Sequence, residues 1–190
     1  MKIISAYLAL RPEGTPPPED GVVPVCEQCG LSTWVELGGG DSPDSYHPNI
    51  DIKALHGVDI LTDLELGIPL HDNHAERIKT IHLINHLSLA GGKRLIEECY
   101  RVLRPGGSLF IMMSDMEWAF ERQLRMWRQE FEYAEFAATC IWGEQRNSAD
   151  VHKSGYSFSS LKWLLENVGF NEIHHLDLVN PWDLKVEAVK

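Results

Sequence analysis

Basic residues are scarce: 17 Lys and Arg stand against 28 Asp and Glu, a formal net charge of −11. A phosphate backbone is held mainly by Lys and Arg, so this balance disfavours non-specific binding of DNA or RNA. Only a local patch could reverse that, because totals do not report patches. The one dense basic stretch, Arg101, Arg104, Arg122, Arg125 and Arg128, is interleaved with glutamates and reads as a solvated helix face. Long apolar runs are also missing. No stretch approaches the ~20 residues of a membrane span. The apolar "IISAYLAL" at 3–10 shows no clear small-residue cleavage site after it, so cytoplasmic residence is the expectation. Cysteine is sparse as well. Cys26, Cys29, Cys99 and Cys140 show no disulfide framework, and a chain of this size buries roughly 70% of its unfolded surface without one.

The phosphate-binding signatures are lacking too. "VELGGGDSPDSYHPNIDI" at 35–52 carries three glycines after an apolar run, but no Lys follows them. Pro43 and Pro48 leave little room for the helix that a phosphate loop needs behind it, and Asp41 would repel an anion. The dinucleotide pattern GxGxxG fails because its third glycine position is Pro43.

What is present is alternation. Residues 1–10 read as a short strand and 11–24, with five prolines and three acids, as an extended linker. From residue 33 onward, strands are expected at 33–37, 49–52, 58–61 and 77–84, and a helix over 88–103 with Leu95, Cys99 and Val102 on one face. "RPGG" at 104–107 ends that helix. "SLFIMM" at 108–113 is the continuous apolar run of a strand buried on both faces. "SDME" at 114–117 fits a capping box for a long helix carrying Phe120, Leu124, Trp127, Phe131 and Ala134 on one stripe. Residues 143–156 read as a loop, 157–170 as a helix with a serine start and Gly169 as its stop, and the chain finishes in two strands. The pattern implies an α/β fold with a covered sheet. Two segments are expected: an N-terminal extension over 1–32 and one domain over 33–190.

In such sheets, ligands bind beyond the carboxyl ends of the strands. The glycine loop would sit there and let backbone approach a ligand without Cβ atoms in the way. Asp51 ends the second strand, where its carboxylate could accept both hydrogen bonds of a vicinal diol. Asp63 could accept from an exocyclic adenine amine, with Leu64 beside the ring. These acids suit an adenosine without phosphates and tolerate a cationic group. A plain glycine turn with surface acids explains "LGGGD" equally well when that motif is taken alone.

The segments "VELGGGDSP", "NIDI", "DILTDLELGIPL", "IHLINHLSL", "YRVLRPGGSLFI" and "FSSLKWLLENVGF" occur in an order that resembles class I S-adenosylmethionine-dependent methyltransferases, in particular compact type 11-like members. The resemblance covers about residues 33–190. It implies a Rossmann-like, seven-stranded, mostly parallel sheet with an antiparallel last strand, helices on both faces, and S-adenosylmethionine as cofactor. Carried over, Gly38, Gly39 and Gly40 lie against the cofactor, Asp51 holds the ribose and Ile52 packs on adenine. Asp63 and Leu64 flank the adenine, and His82 lines the reactive side. Asn85 stands where the family often has a glutamate, and "MSD" at 113–115 where Pro-Asp is frequent.

Methyl transfer from a sulfonium is an in-line displacement with a good neutral leaving group, so alignment is the main contribution asked of the protein. A base is needed only if the acceptor must lose a proton. His86 is the candidate, against the plainer reading that it packs the following helix. His152 could line an acceptor pocket. His174 and His175 alternate along a late strand, so at most one faces any site. The aromatic helix is read as a lid, as core or as a dimer face. "CEQCG" at 26–30 supplies two of the four ligands that structural zinc wants. Cys99 and Cys140 fall in helices far along the chain, and the motif lacks the helix start of a redox CxxC. No metal site is expected. The favoured function is methyl transfer to a small or medium-sized acceptor, with nucleic acid disfavoured, no membrane, and a homodimer as a candidate assembly. The alternatives are a non-catalytic binding or regulatory module of the same fold and a different nucleotide-binding α/β enzyme.

Overall fold

The computed structural model describes residues 25–40, 48–127, 134–148, 150–176 and 180–190. The strand and linker expected over 1–24 lie outside these residues, as do Asp41, Pro43, Arg128, Phe131 and Tyr133. Seven strands form one sheet: β1 (Trp34–Leu37), β2 (Asn49–Asp51), β3 (Ile60–Leu61), β4 (Ala75–Ile81), β5 (Leu103–Ser114), β6 (Asn171–His175) and β7 (Asp183–Val189). Their order is β3-β2-β1-β4-β5-β7-β6. Pairing is parallel from β3 to β5 and antiparallel on both sides of β7.

The apolar run of β5 places Leu109, Ile111 and Met113 at the centre of the sheet, between Ile78 of β4 and Leu184, Val186 and Ala188 of β7. Helix α1 (Leu89–Val102) adds Leu95, Ile96, Cys99 and Val102, and α4 (Phe158–Val168) adds Leu161 and Leu165. Each such side chain, fully buried, contributes ~1.5–3 kcal/mol. The ends of these helices follow from local chemistry. The Ser88 hydroxyl accepts from Gly91 N to start α1. A capping box between Ser157 and Ser160 starts α4, and Gly169, in the left-handed region at φ 119°, ends it.

Three expectations change. Strand β4 stops at Ile81 rather than 84, because His82 turns to φ 50° and a 3-10 turn, Ile84–His86, follows. The cap of α2 (Met116–Trp127) is Asp115, not Ser114: the Asp115 carboxylate accepts from Glu117 N at 2.8 Å, while Ser114 is still paired with Asp183 of β7. The expected apolar stripe on α2 faces outward, with Phe120 51% and Leu124 47% exposed; Met116 and Ala119 face inward onto Cys140 and Ile141 of α3 (Ala134–Trp142).

Residues 25–32 form a turn closed by a Val25–Ser32 bridge, by Cys26 N donating to Leu31 O and by Gly30 N donating to Cys26 O. The basic stretch is engaged. Arg101 donates to both carboxylate oxygens of Glu98 at 2.7 Å, Arg104 to Glu76, and Arg125 to Glu121. No described helix is long and apolar enough to cross a membrane.

Candidate functional site

At the carboxyl end of β1 the chain must turn sharply under Leu83. Gly38 does so at φ 71°, and a Cβ there would lie 2.8 Å from Leu83 Cδ1. Gly38 N donates to Ile50 O, Gly39 N to Asn49 Oδ1, and Gly40 N to Asp51 Oδ2 at 3.1 Å. The loop is thus stitched to β2. Asp51 is 8% exposed, and its second oxygen accepts from Lys53 N at 2.8 Å. Each carboxylate oxygen therefore holds one backbone donor and keeps a lone pair for another.

A cleft of about 410 Å³ opens beside this loop, within the range of small-molecule sites. Of the residues singled out from sequence, Gly38, Gly40, Asp51, Ile52, Asp63, Leu64, His82 and His86 line it. Gly39 does not, because its amide is spent on Asn49 and a Cβ there would strike Asn49 and Glu36. Leu64 is buried, while Ile52 is 58% exposed and gives the mouth an apolar lip. Asp63 Oδ1 caps the following turn by accepting from Glu65 N. Leu55, Leu83 and Leu87 complete the apolar wall, and Lys53 and Lys153 stand among the acids. Asn85 lines neither this cleft nor the cavity behind it; it is fully buried, and neither of its amide side-chain atoms has a hydrogen-bond partner. Its place in the motif therefore removes no group from the cleft.

A second cavity of about 360 Å³ adjoins the first, and His82, His86 and Asp150 line both. Its other walls include Ser114, Cys140, His152, Phe136 and Trp182. Phe136 and Trp182 meet edge to face at 5.1 Å, and Trp118 packs on both behind this wall. His86 and His152 meet edge to face at 4.8 Å. A carbonyl can only accept, so the contact of His86 Nδ1 with Val151 O and that of His152 Nδ1 with Cys140 O put the proton on Nδ1 of each ring. In its neutral form each ring presents a bare Nε2. Burial first, and the neighbouring His152 second, push the His86 pKa below its ordinary 6.5. Burial also lowers that of His82, with Asp183 opposing.

Sequence reasoning missed one further group. Cys26 and Cys29 converge with His71 and His74 at the opposite end of the sheet, where their ligand atoms all lie within 4.8 Å of one another. Cys99 and Cys140, the other cysteines, are buried in α1 and α3 and take no part in it. The signal was the matching spacing in "HDNH", 71–74.

Comparison with known proteins agrees with the architecture. The family described as "Methyltransferase domain" matches residues 49–111. Mouse "Probable tRNA methyltransferase 9B" is 31% identical over 88 residues, which are 46% of this chain and 19% of that protein. The chain thus spans about a fifth of that relative's length. Among solved structures, human N-acetylserotonin methyltransferase in complex with S-adenosylmethionine superposes with a TM-score of 0.55 at 14% identity, over 84% of this chain and 48% of that one. A methyltransferase from Archaeoglobus fulgidus gives 0.56 at 14% identity, over 83% and 85%. A Haloferax volcanii methyltransferase subunit bound to the Trm112 methyltransferase activator gives 0.53 at 14% identity, over 88% and 84%. At such identities the structural likeness speaks for the fold. With its seven-stranded sheet and a methyltransferase-domain match running from β2 into β5, the chain has the fold of the class I methyltransferases.

Proposed function

We propose that the chain is an S-adenosylmethionine-dependent methyltransferase acting on a small or medium-sized acceptor. The observation that carries this is the position of Asp51: buried, tied to the amide of Gly40, and lining a cleft beside a glycine loop whose sequence lacks the phosphate-loop signature. The cleft fits the cofactor chemically. Asp51 would accept from the ribose hydroxyls with its remaining lone pairs. Asp63, Leu64 and Ile52 would surround the adenine. The bare backbone at Gly38 and Gly40 would take the methionine portion, where a Cβ on Gly38 would displace Leu83. When bound, S-adenosylmethionine supplies a methyl group on a sulfonium and leaves as a neutral thioether.

The remaining work belongs to the chain. The second cavity would hold the acceptor between Phe136, Trp182 and the His86–His152 pair. Aligning reactants in this way can contribute roughly 7–11 kcal/mol to lowering a barrier. His86 is the proposed base, because its Nε2 is unprotonated and it stands where the two cavities meet. His152 would hold the edge of the His86 ring in place. The matched family segment ends at residue 111, before Cys140, His152 and Trp182, so it carries no information on the acceptor.

Calorimetry with S-adenosylmethionine, S-adenosylhomocysteine and NAD tests the cofactor: the first two should bind and NAD should not. Release of S-adenosylhomocysteine on addition of fractionated small-molecule pools tests turnover. Cofactor binding without release from any pool would favour a non-catalytic, partner-bound module, a reading that the activator-bound neighbour keeps open.

A further inference from the structure

The cluster at the amino end of β1 and β4 is built like a closed metal site. Cys26 Sγ lies 3.2 Å from His71 Nε2, Cys29 Sγ 3.6 Å from His74 Nδ1, and the two ring nitrogens 3.4 Å from each other. In a tetrahedron with Zn–S of about 2.3 Å and Zn–N of about 2.05 Å, sulfur–nitrogen edges are about 3.6 Å and nitrogen–nitrogen edges about 3.3 Å. The observed spacings are close to these edges.

The outer hydrogen bonds point the same way. His74 Nε2 donates to Ser32 O at 2.8 Å, and His71 Nδ1 donates to Asp72 O at 2.9 Å. Each ring thus has its proton on the far side and its lone pair on the near side, which is how second-shell carbonyls prepare metal-binding imidazoles. Two facing lone pairs at 3.4 Å repel unless a cation lies between them.

Both ligand pairs are also held rigidly. Gly30, at φ 73°, lets the 25–32 turn close behind the two sulfurs. Arg101, already locked on Glu98, donates to Ile68 O, Leu70 O and Asp72 Oδ1, and so fixes the loop that presents His71. His74 is fully buried at the foot of β4.

We propose that Cys26, Cys29, His71 and His74 bind one Zn²⁺ as a structural site that staples the 25–32 turn to the start of β4. Four protein ligands leave no open position for water or substrate, so the site has no part in the transfer chemistry. Loading it requires two thiols to lose their protons to solvent.

The full chain, expressed with zinc present and dialysed exhaustively, should retain about one zinc per chain by elemental analysis. Replacement by Co²⁺ should give the visible bands of a tetrahedral site together with thiolate charge transfer. In Cys29→Ser and His71→Ala, retained zinc should fall by about tenfold. Less than about a tenth of an equivalent in the parent protein, or no tetrahedral cobalt spectrum, would overturn the site. Zinc content unchanged in both variants would overturn the ligand assignment. The parent-protein readings stand even if a variant fails to fold, and none of them depends on cofactor binding or turnover.

Discussion

Strands β1 and β4 lie side by side, and both carry polar clusters at each end. At their amino ends Cys26, Cys29, His71 and His74 close on one another, with every outward hydrogen of the two rings already given to a carbonyl. At their carboxyl ends Gly38, Gly40, Asp51, His82 and His86 stand around a cleft of about 410 Å³. There the free capacity points into space: spare lone pairs on Asp51 and a bare Nε2 on His86. Polar groups that converge on one point with their protons turned away suit a bare cation. Polar groups spread around a volume suit an extended ligand. The two ends of one strand pair can therefore serve stability and chemistry separately, and perturbing either should leave the other largely intact.

The largest expected effect is at His86. His86→Asn should lower kcat by ~10²–10⁴-fold for an acceptor that must lose a proton, with cofactor affinity within about twofold of the parent. Steady-state kinetics beside calorimetry would read this, and an unchanged kcat on such an acceptor would remove its role as base. Asp51→Ala should weaken S-adenosylmethionine by at least about tenfold, since charge-assisted bonds contribute ~1.5–3 kcal/mol. Its circular dichroism and metal content should be unaltered; unchanged binding would refute the ribose role.

The opposite experiment is removal of metal from the amino end. A site saturated about a thousandfold above its Kd stabilises by ~4 kcal/mol, and each kcal/mol moves Tm by ~2–4 °C in a chain this long. A strong chelator should thus lower Tm by roughly 8–16 °C while cofactor affinity below the new transition stays within about twofold. Loss of both together would show that the two ends are coupled.

The smallest effect is on pH. The folded pKa of His86 lies below the ordinary 6.5 because of burial and His152. The ring is therefore neutral at pH 7, and kcat/KM should be flat above 6.5 and fall only on the acid side. For stability the sign is the same. Depressed values for His82 and His86 contribute stability that is present above 6.5 and lost as pH falls through the folded values. An inflection in kcat/KM above pH 6.5 would contradict this account.

Much of this was readable locally. The glycine loop, the acid at the end of the next strand and the serine start and glycine stop of α4 are short-range signals, and the structure has them within a residue or two, whereas the "RPGG" expected to end α1 lies inside β5. The stripe on α2 misled. Its spacing correctly joins Phe120 and Leu124, but nothing local says which side of the helix meets α3, and small Ala119 was the inward choice. The His86–His152 pair and the four-residue cluster were invisible for a different reason. Their members are separated by 66 and up to 48 positions, and chain spacing does not report which loops fold together.

By itself, then, the sequence determined the alternation of elements, the caps of α4, and a loop at Gly38–Gly40 without a phosphate-binding signature, because backbone conformation and capping depend on neighbours a few residues away. Only the tertiary structure decided which histidines share the cleft, that Asp51 is buried against Gly40, and that His71 and His74 meet Cys26 and Cys29. Those are long-range approaches, set by the parallel registry of β1 with β4 and by the Arg101 clasp on the loop that leads into β4.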